Sequence, residues 1–310
     1  MNANSQVITL LCSHLCDEAC QPLEPSEWSK LAAALREINC SPADFLRFEE
    51  TGLSEKLGLS DETRERYLRL LDRAASLEFE LTKYENMGIQ VLTRADSGYP
   101  EALRQKLKNS CPPLFYIAGD LKLLKQPLAG YVGSRTVTED DTAFTARTVG
   151  KTVKQGFGVV TGGAKGVDQI SEETALQLGA PVVEYPSDSL LKKLRRTETI
   201  RAVQEGGLLL LSAANPDAGF QVGIAMMRNR FIYAQSEGTV VVRSDYNKGG
   251  TWAGASDCLK HGWCPVFCRD SDAPGNRALI QNGAIPINED WDGDLRNVPE
   301  TDREEQLSLF

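Results

Sequence analysis

From about residue 86 onward, the chain alternates short apolar runs with longer stretches of helical spacing. The runs include LAGYVGSR, FGVVTGG, GLLLLS and TVVVRS, and segments such as DDTAFTARTVGKTVKQG separate them. Strands that alternate with helices pair in parallel through right-handed crossovers, so that helices cover both faces of the sheet. The pattern therefore predicts an α/β fold with a Rossmann-like parallel sheet and helices on both faces.

Residues 1–85 carry helical patterns instead, and we expect a small all-helical domain there. Ser26 is the expected N-cap of SEWSKLAAALREI, and Ser41 and Ser60 mark two further helix starts. The final residues are polar, acidic and without periodicity, which is typical of a flexible tail. The predicted parts are a helical N-terminal domain at 1–85, a Rossmann-like domain at 86–290 and a flexible acidic tail at 291–310.

The charge distribution limits how the chain can attract nucleic acid. Its net charge is −9, which argues against attraction by the whole surface. Residues 120–260 are close to neutral, with 17 Lys and Arg against 15 Asp and Glu, so this region can still hold a local basic groove. The absence of any run of 18 apolar residues predicts no membrane span. Eight cysteines without an export signal indicate a cytoplasmic protein with free thiols.

Three glycine loops follow predicted strands. The first is Gly133-Ser134-Arg135, the second is TGGAKG at 161–166, and the third is Lys248-Gly249-Gly250-Thr251. In open α/β sheets, ligands bind beyond the carboxyl ends of the strands, where glycine lets the backbone approach and helix N-termini attract anions. Phosphate is the expected ligand. It would be bound by basic side chains in or near the loops: Arg135, Lys165, Arg228, Arg230 and Lys248.

The loops alone do not identify the ligand. Glycine after a strand is common in α/β proteins because tight turns need it. TGGAKG also matches neither the dinucleotide-binding glycine motif nor the Walker lysine motif. Three such loops in equivalent positions favour a phosphate-lined site, but a nucleotide, a sugar phosphate and a polynucleotide all remain open.

The order of the motifs resembles the DprA/Smf family, DNA-processing proteins that bind single-stranded DNA and help load the bacterial recombinase. The resemblance begins at MGIQVLTRADSGYPEALRQKLKNSCPPLFYIAGD and continues through YVGSR, VVTGGAKGVDQISEETAL, MMRNRFIYAQSEGTVVV, GGTWAGA and ALIQNGAIPI. It implies a non-catalytic protein without a cofactor that binds single-stranded DNA during DNA uptake, recombination or related DNA processing. It also implies a homodimer, with the recombinase as a candidate partner.

In this family the loops form a pocket for DNA phosphates, and the motif positions carry over one by one. Together with the third glycine loop, the predicted DNA- or phosphate-binding residues are Gly133, Ser134, Arg135, Gly162, Gly163, Lys165, Gly166, Asp168, Arg228, Asn229, Arg230, Lys248, Gly249, Gly250 and Thr251.

Several positions depart from the family pattern. Lys165 replaces an arginine, which loses a bidentate fork for phosphate, and Glu172 replaces a histidine, which is expected to add negative charge. Arg243 stands where the family has an acidic residue, and Lys248 is an added cation. We expect the C-terminal winged helix of many relatives to be absent, so that the chain resembles a divergent, shortened branch. Shortened relatives also occur beside toxins in anti-phage gene pairs, which leaves open an antitoxin that senses DNA or a nucleotide and has a cognate toxin as its partner.

An enzymatic alternative comes from the LOG family, nucleotide-processing enzymes with a similar sheet and a PGGxGTxxE loop. KGGTWAGA resembles that loop superficially, but Gly254 stands in place of the glutamate. Acid–base chemistry then has no evident carrier, and we predict no catalytic residues. Asp168 and Glu172 lie four apart on one helix face, but Asp168 is better explained as a helix N-terminal residue.

Two other groups of side chains have candidate roles. Aromatic residues near predicted strand ends can stack on bases, although they are more often core: Tyr131, Tyr185, Phe231, Tyr233 and Trp252. One Cys/His cluster lacks the paired spacing of zinc knuckles, so we expect buried thiols and no metal: Cys258, His261, Cys264 and Cys268. Three cysteines at four-residue spacing are expected on one helix face: Cys12, Cys16 and Cys20.

The last five residues, QLSLF, follow the acidic stretch. They resemble the pentapeptide by which bacterial polymerases and repair proteins bind the replication sliding clamp. Two of the apolar side chains suit a hydrophobic pocket, and ordering so short a segment costs little. The alternative is a frayed end that packs on its own domain. We favour the clamp as partner, and the predicted partner-binding residues are Gln306, Leu307, Ser308, Leu309 and Phe310.

Overall fold

The computed structural model describes residues 1–16 and 20–298, and its chain divides into two compact units. Unit 1 contains Met1–Ala118 and Ser212–Pro216, and unit 2 contains Gly119–Leu211 and the described chain from Asp217 onward. The domain boundaries expected from the sequence, near residues 85 and 290, stay predictions. The QLSLF pentapeptide lies outside the described residues.

Unit 1 is mainly helical and also contains one antiparallel strand pair, β1 with β2. Its strands are β1 (Gln90–Thr93) and β2 (Leu114–Ala118). Its helices are α1 (Ala3–Cys12), α2 (Pro25–Glu37), α3 (Leu53–Lys56), α4 (Asp61–Asp72), α5 (Ala74–Glu85) and α6 (Glu101–Leu107), with 3₁₀ helices at Pro42–Arg47 and Lys108–Ser110.

The sequence predicted two of the three helix starts correctly. Ser60 accepts a hydrogen bond from the Thr63 amide, and Ser41 forms a capping box with its helix. Ser26 is not the N-cap of α2. Pro25 occupies the first helical position, and the capping box forms between Glu24 and a glutamate three residues later.

Unit 2 contains a sheet of parallel strands in the order β6-β5-β4-β3-β7-β8-β9. The strands are β3 (Leu128–Val132), β4 (Gly158–Thr161), β5 (Val182–Glu184), β6 (Leu208–Ser212), β7 (Gly238–Val241), β8 (Val266–Arg269) and β9 (Ile285–Ile287). The helices are α7 (Glu139–Lys154), α8 (Val167–Gln177), α9 (Leu190–Lys193), α10 (Thr197–Gln204), α11 (Val222–Gln235), α12 (Gly249–His261) and α13 (Pro274–Gln281), with a 3₁₀ helix at Leu121–Lys125.

This architecture confirms the Rossmann-like α/β fold. Every residue of β3, β4, β5, β7 and β8 is buried, as expected for parallel strands covered on both faces. The sheet grows in one direction from β3 through β4, β5 and β6, and then in the other direction through β7, β8 and β9. The strand order therefore reverses beside β3, and such a switch point leaves a crevice at the carboxyl ends of the strands.

The prediction for the N-terminal cysteines is wrong in part. α1 ends at Cys12, and the extended backbone of Ser13 prevents the helix from continuing to Cys16 and Cys20.

In the described part of the chain, no helix combines the length and the apolar character that a membrane crossing requires.

A buried charge pair lies at the end of β5. Glu184 is fully buried, and the Nζ of Lys193 is 2.8 Å from its Oε1. Burial raises the pKa of Glu172, on α8, to about 8, and the neighbouring Glu184 carboxylate contributes to the rise. Glu172 is therefore mostly protonated at neutral pH. It does not add the negative charge that the sequence suggested.

The raised pKa of Glu172 makes stability fall with rising pH. The folded state keeps a proton on Glu172 that the unfolded state releases near pH 4.5, so the stabilisation is complete below about pH 4.5 and is lost as the pH passes about 8. We expect Glu172→Gln to flatten this slope, which is at most about 1.4 kcal/mol per pH unit for one proton. Urea denaturation at several pH values measures it.

Glu198→Gln is the matched control, because Glu198 is exposed in the first turn of α10 and lies outside the group of charges that shifts the pKa of Glu172. It should keep the wild-type slope. An unchanged slope in Glu172→Gln would contradict the assignment.

Candidate functional site

A cleft of about 430 Å³ opens in unit 2 at the carboxyl ends of the central strands. The first glycine loop follows β3, the third begins α12 after β7, and the first half of α11 closes one side. This is the switch point of the sheet, where open α/β folds place their ligands. The predicted residues that line the cleft are Gly133, Ser134, Arg135, Asp168, Arg228, Asn229, Lys248, Gly249, Gly250 and Thr251.

Close backbone packing holds the three loops together. Gly133 has no room for a side chain, since a Cβ there would lie 2.4 Å from a methyl group of Val167. Gly166 has a φ of +80°, and a Cβ there would lie 2.3 Å from the carbonyl oxygen of Ser134. Thr251 donates a hydrogen bond of 3.0 Å to the Gly133 carbonyl, which ties the third loop to the first. Glycine is therefore required where the loops touch.

The third loop presents an open helix N-terminus to the cleft. Lys248 is the N-cap of α12, and in the described structure its side chain makes no capping hydrogen bond to the first turn. Asn229, on α11, donates a hydrogen bond of 3.1 Å to the Gly250 carbonyl and so fixes the loop against the helix. Uncapped backbone N–H groups at a helix start are natural donors to an anion.

A buried ion pair lies under the cleft. Arg228 is only 6% exposed, and its Nη1 lies 3.6 Å from Oδ2 of Asp168. Burial raises the pKa of Asp168, although the positive charge of Arg228 opposes this rise. The guanidinium lies directly against Gly162, where a Cβ would be 1.3 Å from Nη1. The Nε of Arg228 is buried and has no hydrogen-bond partner in the described structure.

The cations that can meet a ligand differ in part from those expected. Arg135 and Lys248 are exposed and line the cleft, and Arg243 lines it while partly paired with Asp141 at 3.4 Å. Lys165 is exposed but does not line the cleft. The predicted residues outside the lining are Gly162, Gly163, Lys165, Gly166 and Arg230.

Arg230 and Gly163 have other surroundings. Arg230 lies 3.3 Å from the carboxylate of Asp257, on α12. Gly163 has a φ of +61°, and a Cβ there would lie 1.9 Å from Oε1 of Glu184. Both residues therefore contribute to the packing of unit 2, Arg230 through its ion pair and Gly163 through the absence of a side chain.

Most of the aromatic residues suggested for stacking are core. Tyr131, Tyr185, Phe231 and Tyr233 are at most 2% exposed, so none of them presents a free ring face to a base, although Tyr233 also lines the cleft. Trp252 is partly exposed, and its ring packs edge-on against the exposed Tyr246.

The sequence missed an apolar rim at the start of α11. Phe220, Val222 and Met226 line the cleft and are exposed, with Phe220 at 49%. The guanidinium of Arg135 lies 5.3 Å from the centre of the Phe220 ring, which combines a cation with an aromatic face. The sequence signal was weak, because Phe220 is a lone aromatic residue in a loop.

The geometry gives no support to LOG-like acid–base chemistry in this cleft, or to a metal at the Cys/His cluster of α12 and the loop after it. At Gly254 a Cβ would lie 2.8 Å from the Tyr233 ring, so the glutamate of the LOG loop has no space. Cys258 and Cys264 have their sulfur atoms 3.7 Å apart, while the His261 ring stacks on Trp263. Over residues 1–16 and 20–298, no group of His, Cys, Asp and Glu side chains could hold a metal ion.

Comparisons with known proteins agree with this architecture. Residues 90–293 match the model of the family described as DNA recombination-mediator protein A. DNA processing protein DprA of Bacillus subtilis (strain 168) is 26% identical over 214 residues, which cover 67% of this chain and 71% of that protein.

Two solved structures share the fold. DprA from Streptococcus pneumoniae superposes with a TM-score of 0.63 at 22% identity, over 86% of this chain and 95% of that one. DprA from Helicobacter pylori, whose structure concerns its single-stranded DNA binding mode, gives a TM-score of 0.53 at 24% identity, over 71% of this chain and 95% of that one. The family match spans about two thirds of the sequence, and the chain belongs to the DNA recombination-mediator protein A family.

Proposed function

We propose that this protein binds single-stranded DNA in the cleft, without catalysis, in DNA uptake, recombination or related DNA processing in the cytoplasm. The observation that carries the proposal is the convergence of Arg135, Lys248 and an uncapped helix N-terminus on one cleft at the switch point. Membership of the family and the single-stranded DNA binding mode of the Helicobacter pylori relative support it.

The cleft offers both kinds of contact that a single strand needs. Phosphates can bind to the rim cations and to the N–H groups that begin α12. Bases can stack on the exposed face of Phe220, which needs no particular sequence because every base has a π-face. Arg228 also lines the cleft, where its buried side chain is paired with Asp168.

The alternative functions have less support. The LOG-like enzyme lacks both the glutamate and the space for it at Gly254. The antitoxin role, the homodimer and the recombinase as partner stay predictions, since nothing in the described residues tests any of them.

Removing the rim cations should weaken DNA binding and its dependence on salt. We expect Arg135→Ala and Lys248→Ala each to lower affinity for a single-stranded oligonucleotide about tenfold, because a hydrogen bond to a charged group contributes about 1.5–3 kcal/mol. Each lost phosphate contact should also reduce the slope of log affinity against log salt by about 0.7. Fluorescence anisotropy over a range of salt concentrations measures both quantities.

Lys260→Ala is the matched control, because Lys260 is an exposed lysine in the last turn of the same helix as the third loop. It should leave affinity and slope unchanged. If Arg135→Ala and Lys248→Ala bind as the wild type does, the cleft is not the DNA site.

Phe220 provides a separate test of base stacking. Phe220→Ala should lower affinity by about 1–3 kcal/mol without changing the salt slope, since stacking involves no phosphate. The free energy of unfolding should stay close to that of the wild type because the ring is half exposed. Phe79→Ala, at an exposed phenylalanine of unit 1, is the control and should bind normally. An unaffected Phe220→Ala would show that bases do not use this rim.

We also propose that QLSLF binds the replication sliding clamp. The sequence supports this through the match at all five positions of the pentapeptide, from Gln306 to Phe310. We expect the double substitution Leu309→Ala/Phe310→Ala to abolish binding to immobilised clamp in surface plasmon resonance and to leave binding of single-stranded DNA unchanged. The double substitution Thr301→Ala/Asp302→Ala, in the same stretch, should bind the clamp normally. Equal binding by all three proteins would refute the motif assignment.

A further inference from the structure

Unit 1 contains a pocket of its own, of about 300 Å³, whose charge the proposed function does not explain. One wall is a single face of α2, on which Ser29, Ala32 and Arg36 follow one another at helical spacing. Arg94 and Arg104 line the pocket as well. Among the residues described as lining it, three are arginines and none is Asp or Glu.

Hydrogen bonds orient the three arginines and leave most of their donors unused. Arg94 Nη1 donates to the Ser29 hydroxyl at 3.2 Å, and Arg104 Nη2 donates to the Arg94 carbonyl at 3.3 Å. Arg36 Nε donates to the Ala32 carbonyl at 3.2 Å. A guanidinium has five N–H donors, so each group keeps others for a ligand.

The three arginines differ in how far their charge is already offset. The Nε of Arg104 lies 3.5 Å from the exposed Glu101 carboxylate, which forms an ion pair with it. Arg36 and Arg94 form no ion pair with a carboxylate among the described residues, so their charges stay available to an anion.

We propose that this pocket binds the phosphate monoester group of a small ligand such as a nucleoside monophosphate. Arg36 and Arg94 are like charges that line one pocket and repel each other, and an anion relieves that repulsion. The planar guanidinium fork matches phosphate oxygens in pairs, which an ammonium group does not. A volume of about 300 Å³ suits a small molecule, and buried apolar side chains such as Trp28 and Leu35 supply the remaining wall.

Trp28 lines this pocket, so a spectroscopic signal from its side chain reports on ligand binding there. The full-length protein is labelled with 5-fluorotryptophan, and the resonance of Trp28 among the four tryptophans is identified with Trp28→Phe. Inorganic phosphate, adenosine monophosphate and adenosine are then titrated separately at millimolar concentrations. We expect the Trp28 fluorine signal to shift with the first two and not with adenosine. A larger effect of the nucleotide would show that the pocket also holds the nucleoside.

Variants separate this pocket from the cleft. Arg36→Ala, which removes an exposed side chain, should weaken the phosphate-dependent shift about tenfold, and Arg104→Gln should do the same. Arg47→Ala, at an exposed arginine outside the pocket, and Arg135→Ala, in the cleft, should leave it unchanged.

Three results would overturn the proposal. They are a Trp28 signal that neither phosphate compound moves, a shift that adenosine produces equally well, and a shift that Arg36→Ala and Arg104→Gln both leave intact. None of them bears on DNA binding in the cleft, because the readout reports only on the pocket of unit 1.

Discussion

The candidate site depends on the reversal of sheet growth beside β3. The strands from β4 to β6 extend the sheet on one side and those from β7 to β9 on the other, so the connections diverge and the backbone leaves space between them. The loops after β3 and β4 can then approach each other only if side chains are absent at the contacts. Gly133 and Gly166 meet that condition, and the cleft is the space left above their contact.

One cation of the cleft is buried beneath it and two others are exposed at its rim. This arrangement explains how an acidic chain can hold a polyanion. Arg228 is buried and its charge is largely offset by Asp168, so it contributes to the shape of the cleft more than to net attraction. Arg135 and Lys248 are exposed at the rim, where a phosphate can reach them. At physiological salt, charges separated by more than about 8 Å hardly interact through solvent. The net charge of −9 therefore matters less than the few cations in contact with the ligand.

The apolar runs predicted the buried strands of unit 2 because strands covered on both faces need continuous hydrophobic sequence. The same rule missed β1, which is buried only at its last two residues, and β9, in which Pro286 is exposed between two buried isoleucines. On α11, the sequence spacing could have shown that two of the predicted cations do not lie on one face, but not which of them lies at the cleft. Arg228 and Arg230 are two residues apart, a rotation of about 200° on a helix, so they cannot share a face. One lies under the cleft and the other pairs with Asp257.

The residues that depart from the family pattern can be interpreted together from where they lie relative to the cleft. Lys165, where the family pattern has arginine, does not line the cleft, so the lost bidentate fork has little effect on a ligand there. Arg243 and Lys248, the two added cations, both line it from the β7 side. The positive charge of this chain is thus concentrated between the first and third loops. The second loop serves as a support, because Gly162 lies against Arg228 and Gly166 against the first loop. A bound strand would accordingly contact the third loop more than the second.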